Sequence, residues 1–361
     1  MAGGLRPYRE PAPAPDKLVR WPDAFGTRFL VTVDVEEEFD WRAPFDPNQR
    51  STGAMRAFPE AYRRFCDLGA PLTCFVDHPI AVDPASVEIL RAVVEDGRSE
   101  IAAQLHPWVT PPFLGWTPQQ ESFPGNLPES AEAAKLDRLT EAIVVAFGKR
   151  PRAYRAGRYG LGPNTRRLLV ARGFRVDSSV RARFDYSGEG GPDYRDVGSA
   201  AYRSGGLIEL PLTTVFTGRA LTGGAKLYGG LGALPKGRGV ASRLRLFSRV
   251  ALTPEGMPIA DALRAVDTAV AGGLRLLVFS FHSPSLEPSH TPYVRNEADR
   301  RRFWAWWVAM FARLDRLGVK AASLEDVVRA TEWGSGHIQS EASLVARPSG
   351  RYPNRRHLPF E

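Results

Sequence analysis

Asp34, Gln104, His106, Arg155, Arg158, Asp177 and His282 all stand at, or shortly beyond, the end of a short apolar run in this 361-residue chain. RFLVTVDVEEEF delivers Asp34, then Glu36, Glu37 and Glu38; EIAAQLHPW delivers Gln104 and His106; YRAGRYG delivers Arg155, Arg158 and Tyr159. FRVDSS delivers Asp177, and LRLLVFSFH delivers His282. A carboxylate base, an imidazole acid and an oxygen–nitrogen metal site together suit hydrolysis of an amide or ester. The base takes the proton of an attacking water, the metal polarises carbonyl and water, and the acid protonates the leaving nitrogen. Each residue also has a structural reading. Asp34 serves equally as a turn or helix cap, His106 as a histidine packed beside Trp108, and Asp177 as a turn residue before two serines. Arg155 and Arg158 could pair with the acidic loop, and Glu37 and Glu38 read as solvated members of that loop. No GxSxG elbow and no compelling Cys–His pair is present, so a covalent nucleophile is not supported.

The elements that must position these residues alternate. Strands are expected at 28–35, at LTCFV, at SEIAAQLH, at RAYRAG, at FRVDSS, at LIELPLT, at LRLLVFSFH and at VKAAS. Helices are expected at PASVEILRAVVEDG, PESAEAAKLDRLTEAIVVAFG, PNTRRLLVARG, PIADALRAVDTAVAGG, NEADRRRFWAWWVAMFARLDRLG and SLEDVVRATE. Strand then helix, repeated, argues for a parallel sheet covered by helices. The expected fold is α/β, a distorted (β/α) barrel of about seven parallel strands in a single domain. In such a barrel the C-terminal strand ends share one face, which is where active sites lie. No glycine-rich dinucleotide fingerprint follows the first strand, which weakens an open doubly wound sheet.

Composition bounds the rest. The chain is 43% hydrophobic and 24% charged, with formal net charge +8. The basic excess is scattered along helices rather than gathered into a block, so no nucleic-acid partner is expected. The two cysteines, Cys66 and Cys74, imply neither a disulfide framework nor a zinc ribbon. No secretory signal and no run of about 18 apolar residues is visible, so a cytoplasmic protein without a membrane span is expected. Residues 1–19 read as a flexible arm, 20–335 as the catalytic domain, 218–256 as a glycine-rich excursion or lid, and 336–361 as a basic tail. Oligomeric state is not readable.

Taken in order, TVDVEEEF, EIAAQLHPW, YRAGRYG, FRVDSSV and FSFHSPSLEP resemble the NodB-type polysaccharide deacetylases (carbohydrate esterase family 4), and within them the WalW-like branch. The resemblance spans roughly residues 28 to 330. It implies a distorted (β/α) barrel, a divalent metal, usually zinc, and removal of acetyl groups from a carbohydrate or glycoconjugate substrate. By this resemblance Asp34 is the catalytic base, His282 the general acid and Arg155 the arginine that steadies the base, with Arg158 able to substitute. Glu36, His106 and Gln104 fall at the metal ligands. Gln104 stands where the branch has a histidine, and zinc favours His, Cys and carboxylate over a neutral amide. A metal-free allantoinase-like amidohydrolase and a carbohydrate-binding pseudoenzyme are therefore the alternatives. Trp41, Trp108 and Trp116 suit stacking on a sugar ring. Trp41, Trp108, Arg158, Tyr159 and Asp177 are the expected substrate-binding set.

Overall fold

The computed structural model describes residues 7–113, 117–218 and 247–332. The first strand, β1 (Arg28–Val35), is buried along almost its whole length. That is why its sequence is continuously apolar rather than alternating: a parallel strand between neighbours is covered on both faces. The same holds for β2 (Leu72–Val76) and β3 (Glu100–Leu105). Then follow β4 (Ala153–Ala156), β5 (Val176–Asp177), β6 (Tyr202–Ser204), β7 (Leu207–Glu209), β8 (Thr214–Thr217), β9 (Ser248–Ala251), β10 (Leu276–His282) and β11 (Lys320–Ala321).

Among the described residues a nine-stranded sheet runs β10-β1-β2-β3-β4-β5-β7-β6, with β11 also beside β1. All its pairs are parallel except β6 with β7. The sheet curls into a half-barrel and is not closed by strand pairing. Instead, the chain leaving β7 crosses to β10, where Thr213 N donates to the Val278 carbonyl at 3.1 Å. The distorted barrel expected from the sequence is, among the described residues, a curled, mostly parallel sheet bridged to β10 by the extended chain at Thr213 and at Leu252, whose carbonyl accepts from Ser280 N at 3.3 Å.

The helices are α1 (Phe58–Asp67), α2 (His78–Val82), α3 (Pro84–Val94), α4 (Glu129–Phe147), α5 (Thr165–Ala171), α6 (Ile259–Ala271), α7 (Glu297–Arg316) and α8 (324–332). Local chemistry sets their ends. Asp83 caps α3 by accepting from Ser86 N at 3.0 Å, and Asn296 caps α7 by accepting from Asp299 N at 3.0 Å. Gly148, with φ +68°, ends α4 in the left-handed conformation. The core between α7 and the sheet is aromatic. Trp307 is fully buried against Phe65, Phe279 and Phe281. No described helix is long and apolar enough to cross a membrane.

Two expected boundaries change. Part of the N-terminal arm packs on the body: the buried Glu10 carboxylate accepts from Arg166 at 2.8 Å and from Tyr202 Oη at 3.0 Å. The end of the expected glycine-rich excursion is built structure, since β9 pairs antiparallel with β8 and Glu255 beyond it is buried. Residues 219–246, the basic tail and Trp116 lie outside the described residues.

Candidate active site

Strand register brings the site together. In the β1–β10 pairing Asp34 lies opposite His282, and in the β3–β4 pairing Gln104 lies opposite Arg155. Successive strand residues face opposite sides. Asp34 and Glu36 therefore share one side of β1 and its extension, as Gln104 and His106 do on β3. These side chains line the floor of a cleft of about 490 Å³, whose walls carry Trp41, Arg158, Tyr159 and Arg181.

Asp34 is held by Arg155, which is fully buried and donates to the carboxylate. Arg155 is itself fixed from three directions. It donates to Thr32 Oγ1 at 2.9 Å and to the Ser178 carbonyl at 3.1 Å, and lies over the Phe75 ring at 4.2 Å. Arg158 does not take this place; it bonds Ser122 Oγ at 2.6 Å and pairs with Glu189. The other Asp34 oxygen, Oδ2, stands 3.8 Å from His282 Nε2. His282 Nδ1 lies 2.7 Å from Glu255 Oε2, and its backbone N–H donates to Glu255 Oε1 at 3.1 Å. Burial alone would lower the His282 pKa, but Glu255, with Glu36 and Asp34 behind it, raises it to about 10.

Glu36 joins this pair to His106. One ligand atom each from Asp34, Glu36 and His282 falls within 4.8 Å of the others, and Glu36 Oε2 lies 3.6 Å from His106 Nε2. Burial pushes Glu36 up to about 8, against the pull of His282 and His106. Gln104 Nε2 donates to Glu36 Oε2 at 3.3 Å, so its amide steadies the carboxylate. Glu36 Oε1 and Gln104 Oε1 are both buried without a hydrogen-bond partner. An orphaned carboxylate oxygen and an orphaned amide oxygen, with the His106 imidazole 3.6 Å from that carboxylate, are donors of the kind a divalent cation takes.

His106 is oriented by a residue assigned above to a solvated loop, and that assignment is corrected. Glu37 is fully buried. Its Oε2 lies 2.8 Å from His106 Nδ1, and its Oε1 accepts from the Trp108 indole at 2.7 Å. Fixing Nδ1 leaves Nε2 turned toward Glu36, the arrangement that carboxylates impose on metal-binding histidines. Asp77 backs this up by accepting from Glu37 N at 2.9 Å while capping α2 through Ile80 N at 3.0 Å. Burial and the adjacent Glu37 hold Asp77 well above the usual carboxylate range. Gly157 must be glycine, because a Cβ there would come within 2.5 Å of His106 Cδ2.

Two substrate-binding expectations do not survive. Trp108 borders the cleft but is fully buried, stacked on His106 at 4.3 Å and against Phe45 at 4.4 Å, so it offers no free face to a sugar. Asp177 is buried away from the cleft, accepting from Ser179 N at 3.0 Å and facing Arg166 at 4.0 Å. Its neighbour Ser178, one residue on and on the opposite face, is the one that meets Arg155 at 3.1 Å. Trp41, Arg158 and Tyr159 do line the cleft, Trp41 edge-on to His282 at 5.3 Å. Asp77, Glu255 and Arg181 were not singled out by strand-end position; Glu37 was delivered by the first strand end but assigned to a solvated loop.

No family model matches the sequence, and no curated protein matches it. Among solved structures the chain is similar to a candidate polysaccharide deacetylase from Mycobacterium smegmatis, with TM-score 0.51 and 20% identity over 97% of this chain and 100% of that one. It is less similar to the Puue allantoinase, with TM-score 0.47 and 15% identity over 86% and 90% of the two chains. A polysaccharide deacetylase assigned in Pseudomonas aeruginosa PAO1 gives TM-score 0.47 and 16% identity over 86% and 92%. At such identities the first likeness is one of fold alone. The chain shares the architecture of a deacetylase-named structure, which agrees with the NodB-type resemblance at the level of fold and not of branch.

Proposed function

We propose that the chain is a hydrolase that cleaves the acetamido C–N bond of a carbohydrate or glycoconjugate, with Asp34 as general base and His282 as general acid. The observation that carries this reading is the 3.8 Å approach of Asp34 Oδ2 and His282 Nε2 at the cleft floor, each held from behind by its own partner. Arg155 donates to Asp34 and aims its free oxygen at the cleft, where it can take a proton from water. Glu255 keeps His282 charged at neutral pH with Nε2 toward the cleft, ready to protonate the leaving nitrogen. Trp41, Arg158 and Tyr159 form the walls against which the sugar would bind.

Glu36 and His106 would hold a divalent ion, zinc being the first candidate, with Gln104 steadying Glu36. When bound, such an ion polarises the acyl carbonyl and the attacking water. A metal-free hydrolase on the same residues is the second reading. It is favoured by the buried Glu36, which at about 8 stays protonated at neutral pH without a cation. Metal analysis of protein purified without chelator separates the two. About one ion per chain, lost on His106→Ala and bound more tightly on Gln104→His, is the expected result. No metal under any loading condition would leave only the metal-free reading.

A further inference from the structure

The cleft holds a cation that the acid–base machinery does not use. Three arginines besides the exposed Arg42 stand in or under it, and two are neutralised: Arg155 by Asp34 and Arg158 by Glu189. Arg181 is not. Among the described residues no carboxylate pairs with it, and its Nε is buried without a hydrogen-bond partner. Among the described residues its side-chain hydrogen bond is to Tyr186 Oη at 3.3 Å.

Arg181 is also held in place. The chain just past β5 forms a bridge with Leu212, which fixes its backbone. Its guanidinium lies 4.1 Å from the Phe184 ring centre and 5.3 Å from that of Tyr159. Ring faces attract a cation and immobilise it without neutralising it. A partly buried charge left uncompensated costs free energy, which a bound anion offsets. The guanidinium fork matches carboxylate and phosphate oxygens in pairs. Tyr159 lines the cleft together with Asp34 and Arg181, so an anion on Arg181 would belong to the same ligand as the reacting amide.

We propose that Arg181 is a specificity determinant that binds an oxyanion, carboxylate or phosphate, carried by the substrate, so that the site takes an acidic acetamido sugar in preference to a neutral one. This rests on the acetamido-sugar reading of the same cleft. The anionic group docks between Arg181 and the Tyr186 hydroxyl, while the acetamido group reaches Asp34 and His282.

Calorimetry with N-acetylglucosamine, its 6-phosphate and N-acetylmuramic acid tests the proposal on the full chain. At least one acidic sugar should bind about tenfold tighter than the neutral sugar, and which one does so distinguishes phosphate from carboxylate. Arg181→Met should bring acidic and neutral sugars to within about twofold of each other. Should that variant fail to fold, Arg181→Lys should cut the preference at least threefold, since an ammonium cannot make the paired contact. Equal binding of all three sugars, or a preference that survives both substitutions, would overturn the proposal. If no sugar binds at all, the acetamido-sugar reading fails and the anion site is judged on inorganic phosphate and acetate. Either ion should then raise the thermal midpoint of the parent but not of Arg181→Met, and no such difference would overturn the proposal.

Discussion

At the scale of single residues, the site is organised by carboxylates behind histidines. Glu37 fixes His106 and Glu255 fixes His282, each through Nδ1. Glu37→Gln should keep the fold and Trp108 in place but weaken metal binding by about 10- to 100-fold, measured by competition with a chromophoric chelator. Unchanged affinity would mean that His106 is not a ligand. Asp34, Arg155 and His282 were legible in the sequence because a polar residue closing a continuously apolar run is conspicuous. Glu37 and Glu255 were not, because their meaning lies in partners distant along the chain. Asp177 was misread for a one-residue reason: strand side chains alternate, and the face that meets Arg155 belongs to Ser178.

At the scale of elements, β3 and the turn after it carry His106, and that turn is tied down by α4. Lys135 of α4 is buried, and its ammonium donates to the carbonyls of Pro107 at 2.9 Å, Pro112 at 2.8 Å and Thr110. A lysine inside an amphipathic helix reads from sequence as a surface residue, so this tie was invisible there. Lys135→Met keeps the apolar stem and removes the donors. It should cost about 2 to 3 kcal/mol in urea unfolding and increase hydrogen exchange at Val109 and Thr110, whose amides bond the His106 carbonyl at 3.3 and 3.1 Å. A loss below about 0.5 kcal/mol, the range of ordinary surface changes, would contradict that role. The main strands and the long helices were readable from period and capping. The short β6, β8 and β9 were not, since they lie in antiparallel pairs outside the strand–helix alternation on which the reading rests.

At the scale of the whole molecule, the α/β alternation gave the class, and the register of parallel strands then placed Asp34 and His282 side by side. How the curled sheet is completed was not legible, because it depends on extended crossings at Thr213 and Leu252 rather than on a strand of the main sheet. The N-terminal segment is also part of the body. Glu10, Asp177 and Glu209 surround Arg166, with burial raising Asp177 and Glu209. Glu10→Ala removes the acceptor of the Arg166 and Tyr202 Oη bonds and should destabilise the chain by about 2 kcal/mol. Arg9→Ala, which removes an exposed arginine's pairs with Asp196 and, at 3.8 Å, with Asp193, should change stability by less than about 1 kcal/mol. Equal effects of the two would show that residues 7–10 do not clasp the domain.

The central claim, amide hydrolysis by Asp34 and His282, is tested most directly by acetate release from N-acetylglucosamine oligosaccharides, neutral and acidic, over zinc-, manganese- and nickel-loaded protein. The account predicts acetate and free amine in equal amounts, with kcat reduced at least about 100-fold in Asp34→Asn. No acetate above background with any metal or substrate, or release undiminished in Asp34→Asn, would contradict it.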